Sequence, residues 1–186
     1  MFTSFTRITV VFSLLKNAIG AQQSIPSQIL VGLAIFLTIF IMQPVYTEIN
    51  EVALKPYTNE EITFEQALEN ASNPLKDFML KETRQKDLEL FVDAAKLNSG
   101  ELTRKNIPLY AIVPAFAISE LKTAFQIGFL LFIPFMVIDM IVASILMSMG
   151  MMMLPPTVIS LAFKLLLFVM VDGWNLIIKS LITSFS

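Results

Sequence analysis

The charged residues of this 186-residue chain are confined almost entirely to one stretch. Of 13 basic and 15 acidic residues, 28 in all, 20 lie between Glu48 and Lys105. Soluble domains are about 25% charged along their whole length. A chain with two nearly uncharged arms cannot fold as an ordinary water-soluble domain, so the pattern predicts one hydrophilic insert between two membrane-like arms. The arms carry only eight charges: Arg7, Lys16, Glu120, Lys122, Asp139, Lys164, Asp172 and Lys179.

The sequence contains no histidine and no cysteine. Their absence excludes disulfides, thiolate metal sites, cysteine nucleophiles and acid–base mechanisms that use histidine. A net charge of −2 gives no nucleic-acid footprint, and six scattered glycines form no phosphate-binding loop. We therefore expect neither an enzyme nor a protein that holds a cofactor or a metal.

Residues 1–47 form the predicted N-terminal arm. Residues 17–47 carry no charge, and as a helix this stretch is about 46 Å long. Its core, residues 29–42, is nearly all apolar and matches a span through a hydrocarbon layer about 30 Å thick, with Pro44 as its exit. Residues 1–19 resemble an amphipathic or truncated span, which suggests that an N-terminal piece is missing or processed.

The hydrophilic insert, residues 48–106, has the pattern of amphipathic helices. Thr58 and Glu61 fit a capping box, which predicts a helix that begins there. Asn73 and Pro74 fit the N-cap and first position of a second helix that ends near Ser99. We predict two amphipathic helices and no strands.

The C-terminal arm, residues 107–186, is predicted to be a kinked helical hairpin. Pro108, Pro114 and Pro134 interrupt it without ending the apolar pattern, which favours kinked helices over loops. Pro155 and Pro156 break the chain, and residues 157–178 make the last predicted helix. The expected fold class is an all-α membrane protein with two apolar helical arms and a helical insert.

The charges within the C-terminal arm are expected to find partners, because an isolated charge in lipid costs several kcal/mol. Glu120 and Lys122 lie on opposite sides of a helix, and Lys164 and Asp172 are about 12 Å apart along one. Partners must therefore lie on other helices or other subunits. We predict Glu120 with Lys164, with Asp139 as the competing acid. The alternative is that Glu120 and Lys122 lie in a wet interfacial loop.

A run of methionines follows the long apolar stretch. The sequence predicts a short loop here, in which Met151, Met152 and Met153 lie between Gly150 and the pair Pro155–Pro156. Thioethers repack around varied shapes, which suits a deformable seal or contact surface. Symmetry would make this loop a ring of methionines around a pore. The alternative is packing that fills gaps in a core.

Several long motifs, in order, resemble the FliP family of flagellar type III export-gate proteins, which is related to the SctR component of injectisomes. The C-terminal motifs are Ser119-Glu-Leu-Lys-Thr-Ala-Phe-Gln-Ile-Gly-Phe129, Gly150-Met-Met-Met-Leu-Pro-Pro156, Phe163-Lys-Leu-Leu-Leu-Phe168 and Val171-Asp-Gly-Trp-Asn175. The N-terminal motifs are Thr3-Ser-Phe-Thr-Arg-Ile8, Lys16-Asn-Ala-Ile-Gly-Ala-Gln-Gln23 and Gly32-Leu-Ala-Ile-Phe-Leu-Thr38.

The resemblance implies an inner-membrane protein of the flagellar basal body that forms a pentamer and assembles with FliQ and FliR. Unfolded export substrates would pass through the channel, and Met151–Met153 would form the gasket that narrows it. Glu120 and Lys164 would be candidates for a salt bridge between subunits. The resemblance also implies that the insert is periplasmic and that the assembled helices lie largely above the bilayer plane.

Family members begin with a signal peptide and an apolar segment before the Thr3–Ile8 motif, so the first span is expected to be halved here. Two alternative functions remain open. One is an export-gate subunit of an injectisome, and the other is a structural assembly factor that lines no channel.

Overall fold

The computed structural model describes residues 2–22, 25–97, 106–151 and 155–185. The chain is 83% helical and the described residues contain no strand, which confirms the predicted fold class. The helices are α1 (Phe5–Ile19), α2 (Ser27–Ile49), α3 (Lys55–Thr58), α4 (Phe64–Glu82), α5 (Gln85–Ala94), α6 (Leu109–Ser148), α7 (Pro156–Met170) and α8 (Gly173–Thr183), with a π-helical segment (Asn50–Leu54) between α2 and α3.

Among the described residues, two helical stretches are long and apolar enough to cross a membrane, and α7 with α8 would make a third if the bent pair counts as one span. One is Ser27–Thr58, which runs from α2 through α3, and the other is α6. The predicted exit at Pro44 is wrong, because Pro44 lies inside α2. Pro114 and Pro134 likewise lie inside the 40 residues of α6. Long apolar helices tolerate prolines where neighbouring helices, hydroxyl side chains or local backbone adjustments satisfy the carbonyl groups that the prolines leave without a donor.

The first of two compact units contains Met1–Thr6 and Phe36–Lys122. Its core is a cluster of buried apolar side chains from α4 and the start of α6, including Met79, Ile112 and Phe116. Phe78 packs edge-on against Phe116 with ring centroids 6.0 Å apart. The later part of α4 and one side of α5 thus pack against the first third of α6.

The helices of the insert begin elsewhere than the sequence predicts. The capping box is formed by Thr63 and Gln66, where Thr63 N–H donates to Gln66 Oε1 at 3.0 Å. Thr58 instead ends α3, and its hydroxyl donates to the Lys55 carbonyl at 2.9 Å. Pro74, predicted to start a helix, is buried inside α4. α4 therefore continues through this proline instead of beginning at it.

The second compact unit contains Arg7–Ile35 and Thr123–Ser186. One face of α1 is fully buried in it, and Phe12 packs edge-on against Trp174 with ring centroids 6.4 Å apart. Each unit contains residues from both predicted arms, so neither coincides with a single sequence segment.

The last predicted helix, residues 157–178, is two helices. α7 and α8 are bent by 64° at residues 171–172, where Asp172 adopts a left-handed backbone with φ +50°. Gly173 follows, and a Cβ built there would lie 2.4 Å from the ring of Phe168. The bend therefore brings the start of α8 onto the Phe168 ring at a distance that only glycine allows.

Candidate functional site

A cluster of polar groups joins three apolar helices in the second unit. The ammonium of Lys164, on α7, lies 2.6 Å from Asp139 Oδ2 on α6. It also donates to the Ala18 carbonyl of α1 at 3.1 Å. The hydroxyl of Ser160, also on α7, donates to Asp139 Oδ1 at 2.5 Å. Both oxygens of one carboxylate are thus bound by α7.

Burial makes this cluster energetically important. The side chain of Lys164 is only 8% exposed and that of Asp139 is 36% exposed, while Ser160 is fully buried. A buried ammonium is tolerated only when it is paired and hydrogen-bonded. Asp139 and Lys164 border a groove of about 660 Å³ that is also lined by Asn17, Gln22 and Thr157, so the carboxylate has access to the outside.

The sequence predicted Glu120 as the partner of Lys164. Lys164 is paired with Asp139, which the sequence offered only as the competing acid. The sequence alone does not show which acid of α6 pairs with Lys164, because this depends on which part of α6 packs against α7. A bridge between Glu120 and Lys164 of neighbouring subunits stays a prediction.

Of the other predicted charges, Glu120 and Lys122 belong to the first unit and Asp172 to the second. Glu120 is fully buried and Lys122 is exposed, and both are in α6, so the alternative of a wet loop is wrong. Asp172 is exposed at the bend between α7 and α8.

The turn between α6 and α7 carries the methionine run. α6 ends in a Schellman motif, in which Gly150 N–H donates to the Met147 carbonyl at 3.1 Å and Met151 N–H to the Leu146 carbonyl at 3.0 Å. Gly150 supplies the left-handed backbone with φ +72° that this motif requires. Met151 is thereby fixed to the end of the helix, with 42% of its surface exposed.

The start of α7, which follows the methionine run, begins with two prolines. Pro155 precedes the first helical residue, Pro156, and Val158 N–H donates to the Pro155 carbonyl at 3.1 Å. Proline suits the first turn of a helix, where N–H groups have no partner in the helix. Met152 and Met153 lie outside the described residues.

Two further polar sites were not predicted from the sequence. The buried Arg7 of α1 donates to the Ser184 carbonyl at 2.7 Å, and its guanidinium lies 3.7 Å from the Phe185 ring centroid. Arg7 is one of two charged residues in α1, and a charge within an apolar arm was the available signal. In the first unit, Ser119 of α6 donates to Asp87 of α5 at 2.6 Å, and no sequence pattern distinguishes this serine from others.

The carboxyl group of Asp87 has a lowered pKa. Burial alone would raise it, but the Ser119 hydrogen bond and the positive charges of Arg84 and Lys122 together outweigh the burial. Arg84 lies 2.6 Å from Asp87. These groups hold the carboxylate in its charged form.

Comparison with known proteins gives consistent matches over the whole chain. Residues 1–181 match the model of the FliP family. The chain is 58% identical over 185 residues to the flagellar biosynthetic protein FliP of Bacillus subtilis, covering all of this chain and 83% of that protein. The proteins of the same name from Buchnera aphidicola and Aquifex aeolicus are 54% and 51% identical over 186 residues, with 49% and 78% of their lengths covered.

Proposed function

Because the chain belongs to the FliP family, we propose that it is a core subunit of the bacterial flagellar type III protein export gate. It forms part of the channel through which unfolded flagellar proteins leave the cytoplasm. The names of the relatives support the flagellar system over an injectisome. The subunit lies in the inner membrane at the flagellar basal body, as a pentamer assembled with FliQ and FliR, and its insert is periplasmic.

The observation that carries the channel role is the placement of Met151. The Schellman motif holds this residue exposed at the end of α6, immediately before Met152 and Met153. In a ring of subunits, such turns bring flexible thioethers together around one axis. Soft side chains close around whatever occupies the pore without matching a particular sequence, which suits the passage of many unfolded chains.

The exposed surface supports assembly with other proteins or lipid. Large apolar side chains of α6 are more than half exposed, among them Phe129, Leu130 and Met140. Contiguous apolar surface of this kind marks a contact with protein or membrane. The subunit acts as a passive conduit, and separate components supply the energy for export.

Replacing Met151, Met152 and Met153 together with alanine tests this proposal. The assembled gate is expected to leak ions, because alanine is too short to fill the pore, while the amount of assembled complex stays unchanged. Ion conductance across the membrane is the measurement.

The matched control replaces Met136, Met140 and Met147 with alanine. These three methionines are also exposed, at 51%, 69% and 63%, but lie along α6 before the turn. The control removes the same number of thioethers and is expected to leave conductance low. Unchanged conductance in the turn variant, with normal assembly, would contradict the gasket role.

A further inference from the structure

Lys164 connects α7 to two other helices at once. Its ammonium binds the Asp139 carboxylate of α6 at 2.6 Å and the Ala18 carbonyl of α1 at 3.1 Å. The Lys164 side chain is only 8% exposed, so the loss of either partner leaves a largely buried ammonium short of a hydrogen bond. A shift of α7 along α6 or α1 would leave a buried charge without its hydrogen bonds, which is strongly unfavourable.

The contact with α1 is made at the end of that helix. α1 closes with Gly20 N–H donating to the Asn17 carbonyl at 3.1 Å and Ala21 N–H to the Lys16 carbonyl at 3.2 Å. Ala18 lies in the last turn, where carbonyl groups lack the usual partner within the helix. The negative end of the helix dipole lies there too and favours a cation. Lys164 therefore fits this position by charge as well as by hydrogen bonding.

Ser160 fixes the orientation of the carboxylate. It precedes Lys164 by four residues and so lies on the same face of α7. Its hydroxyl donates to Asp139 Oδ1 at 2.5 Å while Lys164 binds Oδ2 at 2.6 Å. Each carboxylate oxygen thus has its own donor on the same face of α7. This pair of bonds restricts both the sliding of α7 along α6 and the rotation of α7 about its own axis.

These contacts lie close enough to the turn to control it. Asp139 lies nine residues before the end of α6, about 13 Å along the axis, and Lys164 lies eight residues after the start of α7, about 12 Å. Both helices continue without interruption to the turn. The hydrogen bonds of Gly150 and Met151 tie the turn to the end of α6. The position of the two helix ends is thus set by the cluster.

We propose that Asp139, Ser160 and Lys164 are positioning residues that hold the α6–α7 turn, and with it Met151, in the place where it closes the channel. This role rests on the proposed gasket function of the turn. The three residues do not touch the exported chain. They act by keeping the two helix ends in register with each other and with α1.

The test measures the position of the turn directly. The chain has no cysteine, so the double variant Ser13→Cys and Met151→Cys carries spin labels at only two sites, both exposed and both in the second unit. Labelled chain is diluted with unlabelled chain in the assembled complex. Pulsed electron paramagnetic resonance then gives the distribution of distances between positions 13 and 151.

Asp139→Asn and Lys164→Met are expected to shift or broaden this distribution by more than the width seen in the parent chain, and to raise ion conductance. Lys164→Arg keeps the charge and donors to both partners, so it is expected to restore most of the parent distribution. Ser160→Ala removes one hydrogen bond and leaves the ion pair, which provides a milder variant if the charge variants fail to assemble. Asp172→Asn is the matched control, because it neutralises an exposed aspartate at a left-handed position that asparagine accepts.

An unchanged distribution in assembled complexes of Asp139→Asn or Ser160→Ala would overturn the positioning role. The gasket is judged separately by the alanine variant of Met151–Met153. If that variant does not leak while Asp139→Asn broadens the distribution, the gasket fails and the positioning of the turn stands. If the alanine variant leaks and the Asp139→Asn distribution and conductance are unchanged, the positioning role fails and the gasket stands.

Discussion

The hydroxyl of Ser119, on the apolar helix α6, donates to the carboxylate of Asp87, on the hydrophilic helix α5, at 2.6 Å. The hydroxyl oxygen of Ser119 also accepts a hydrogen bond from the backbone N–H of Arg84 at 3.1 Å. Arg84 is the N-cap residue of α5 and its own side chain makes no capping bond. A side chain 35 positions away thus provides the acceptor for the backbone N–H at the start of α5. This contact accompanies the break between Glu82 and Gln85, where the sequence predicted one helix from residue 74 to about residue 99.

Ser119→Ala is expected to loosen α5 from α6, because Asp87 and Arg84 N–H lose a shared partner. Loss of hydrogen bonds to a charged group costs about 1.5–3 kcal/mol. Amide hydrogen exchange of residues 85–94 measures the effect, and faster exchange there is expected. Ser144→Ala is the control, since Ser144 is exposed on the same helix. Equal exchange in both variants would show that Ser119 does not anchor α5.

The stability of this contact is expected to fall only in acid. The folded-state pKa of Asp87 is lowered from 3.8, so the unfolded chain binds the proton more readily and ionised Asp87 stabilises the fold above that value. The contribution is lost as pH falls below about 4. Hydrogen exchange of α5, corrected for its intrinsic pH dependence, should give a constant opening free energy from pH 5 to 8. Asp87→Asn should remove the acid transition, and a transition that persists in this variant would assign it to another group.

Gly173→Ala is expected to destabilise the bend between α7 and α8. The added Cβ would lie 2.4 Å from the Phe168 ring, and overpacking of this kind costs about 1–3 kcal/mol. Trp174, the single tryptophan, packs against Phe168 with ring centroids 5.4 Å apart, so its fluorescence reports the change directly. Thermal unfolding in detergent gives the size of the loss.

Gly32→Ala is the matched control for this substitution. Gly32 lies within α2, and no atom lies within 4 Å of the position of its added Cβ. Alanine is favoured over glycine inside a helix by about 1 kcal/mol, so this variant is expected to be neutral or slightly more stable. A Gly173→Ala variant as stable as Gly32→Ala would show that Phe168 moves aside freely.

Arg7 is expected to anchor the C-terminal end of α8. Arg7→Met removes donors to the Ser184 carbonyl and hydroxyl, at 2.7 and 3.0 Å, and the cation over the Phe185 ring. Arg7→Lys keeps the charge but loses the planar contact, so an intermediate effect is expected. Faster hydrogen exchange of residues 181–185 is the readout. Lys179→Met, which changes an exposed charge on the same helix, should leave the exchange unchanged.

Single cysteines separate a channel subunit from a purely structural one. Met152→Cys in the assembled complex is expected to react with small aqueous thiol reagents, because a residue that lines a channel is wet. Met42→Cys is the control, since Met42 is fully buried. If the two cysteines react equally slowly, the turn does not line an aqueous path.

The sequence predicts the features of this fold that depend on local pattern. Uncharged runs define α2 and α6 because a spanning helix needs only length and apolarity. The capping box is misplaced because Thr58 and Thr63 both have a suitable residue three positions on, and only packing decides between them. The pairing of Lys164 with Asp139 depends on how α7 packs against α6, and the spacing of apolar residues in the sequence does not reveal this. The bend at Asp172 does carry a local signal, because Asp-Gly pairs are typical of turns and aspartate tolerates a left-handed backbone, but the apolar pattern continues through it and predicts one helix.

The length of α6 has a consequence for what the hydrophilic insert does. Forty residues make a helix about 60 Å long, twice the thickness of a bilayer core of about 30 Å. Tilting cannot absorb a mismatch of this size, so part of the helix must be shielded from water by something other than lipid. At the N-terminal end, Ile112 and Phe116 are completely buried in the cluster formed with Met79. The insert thus covers one face of the N-terminal part of α6 within the chain itself, while Tyr110 and Ile118 on the same stretch stay exposed.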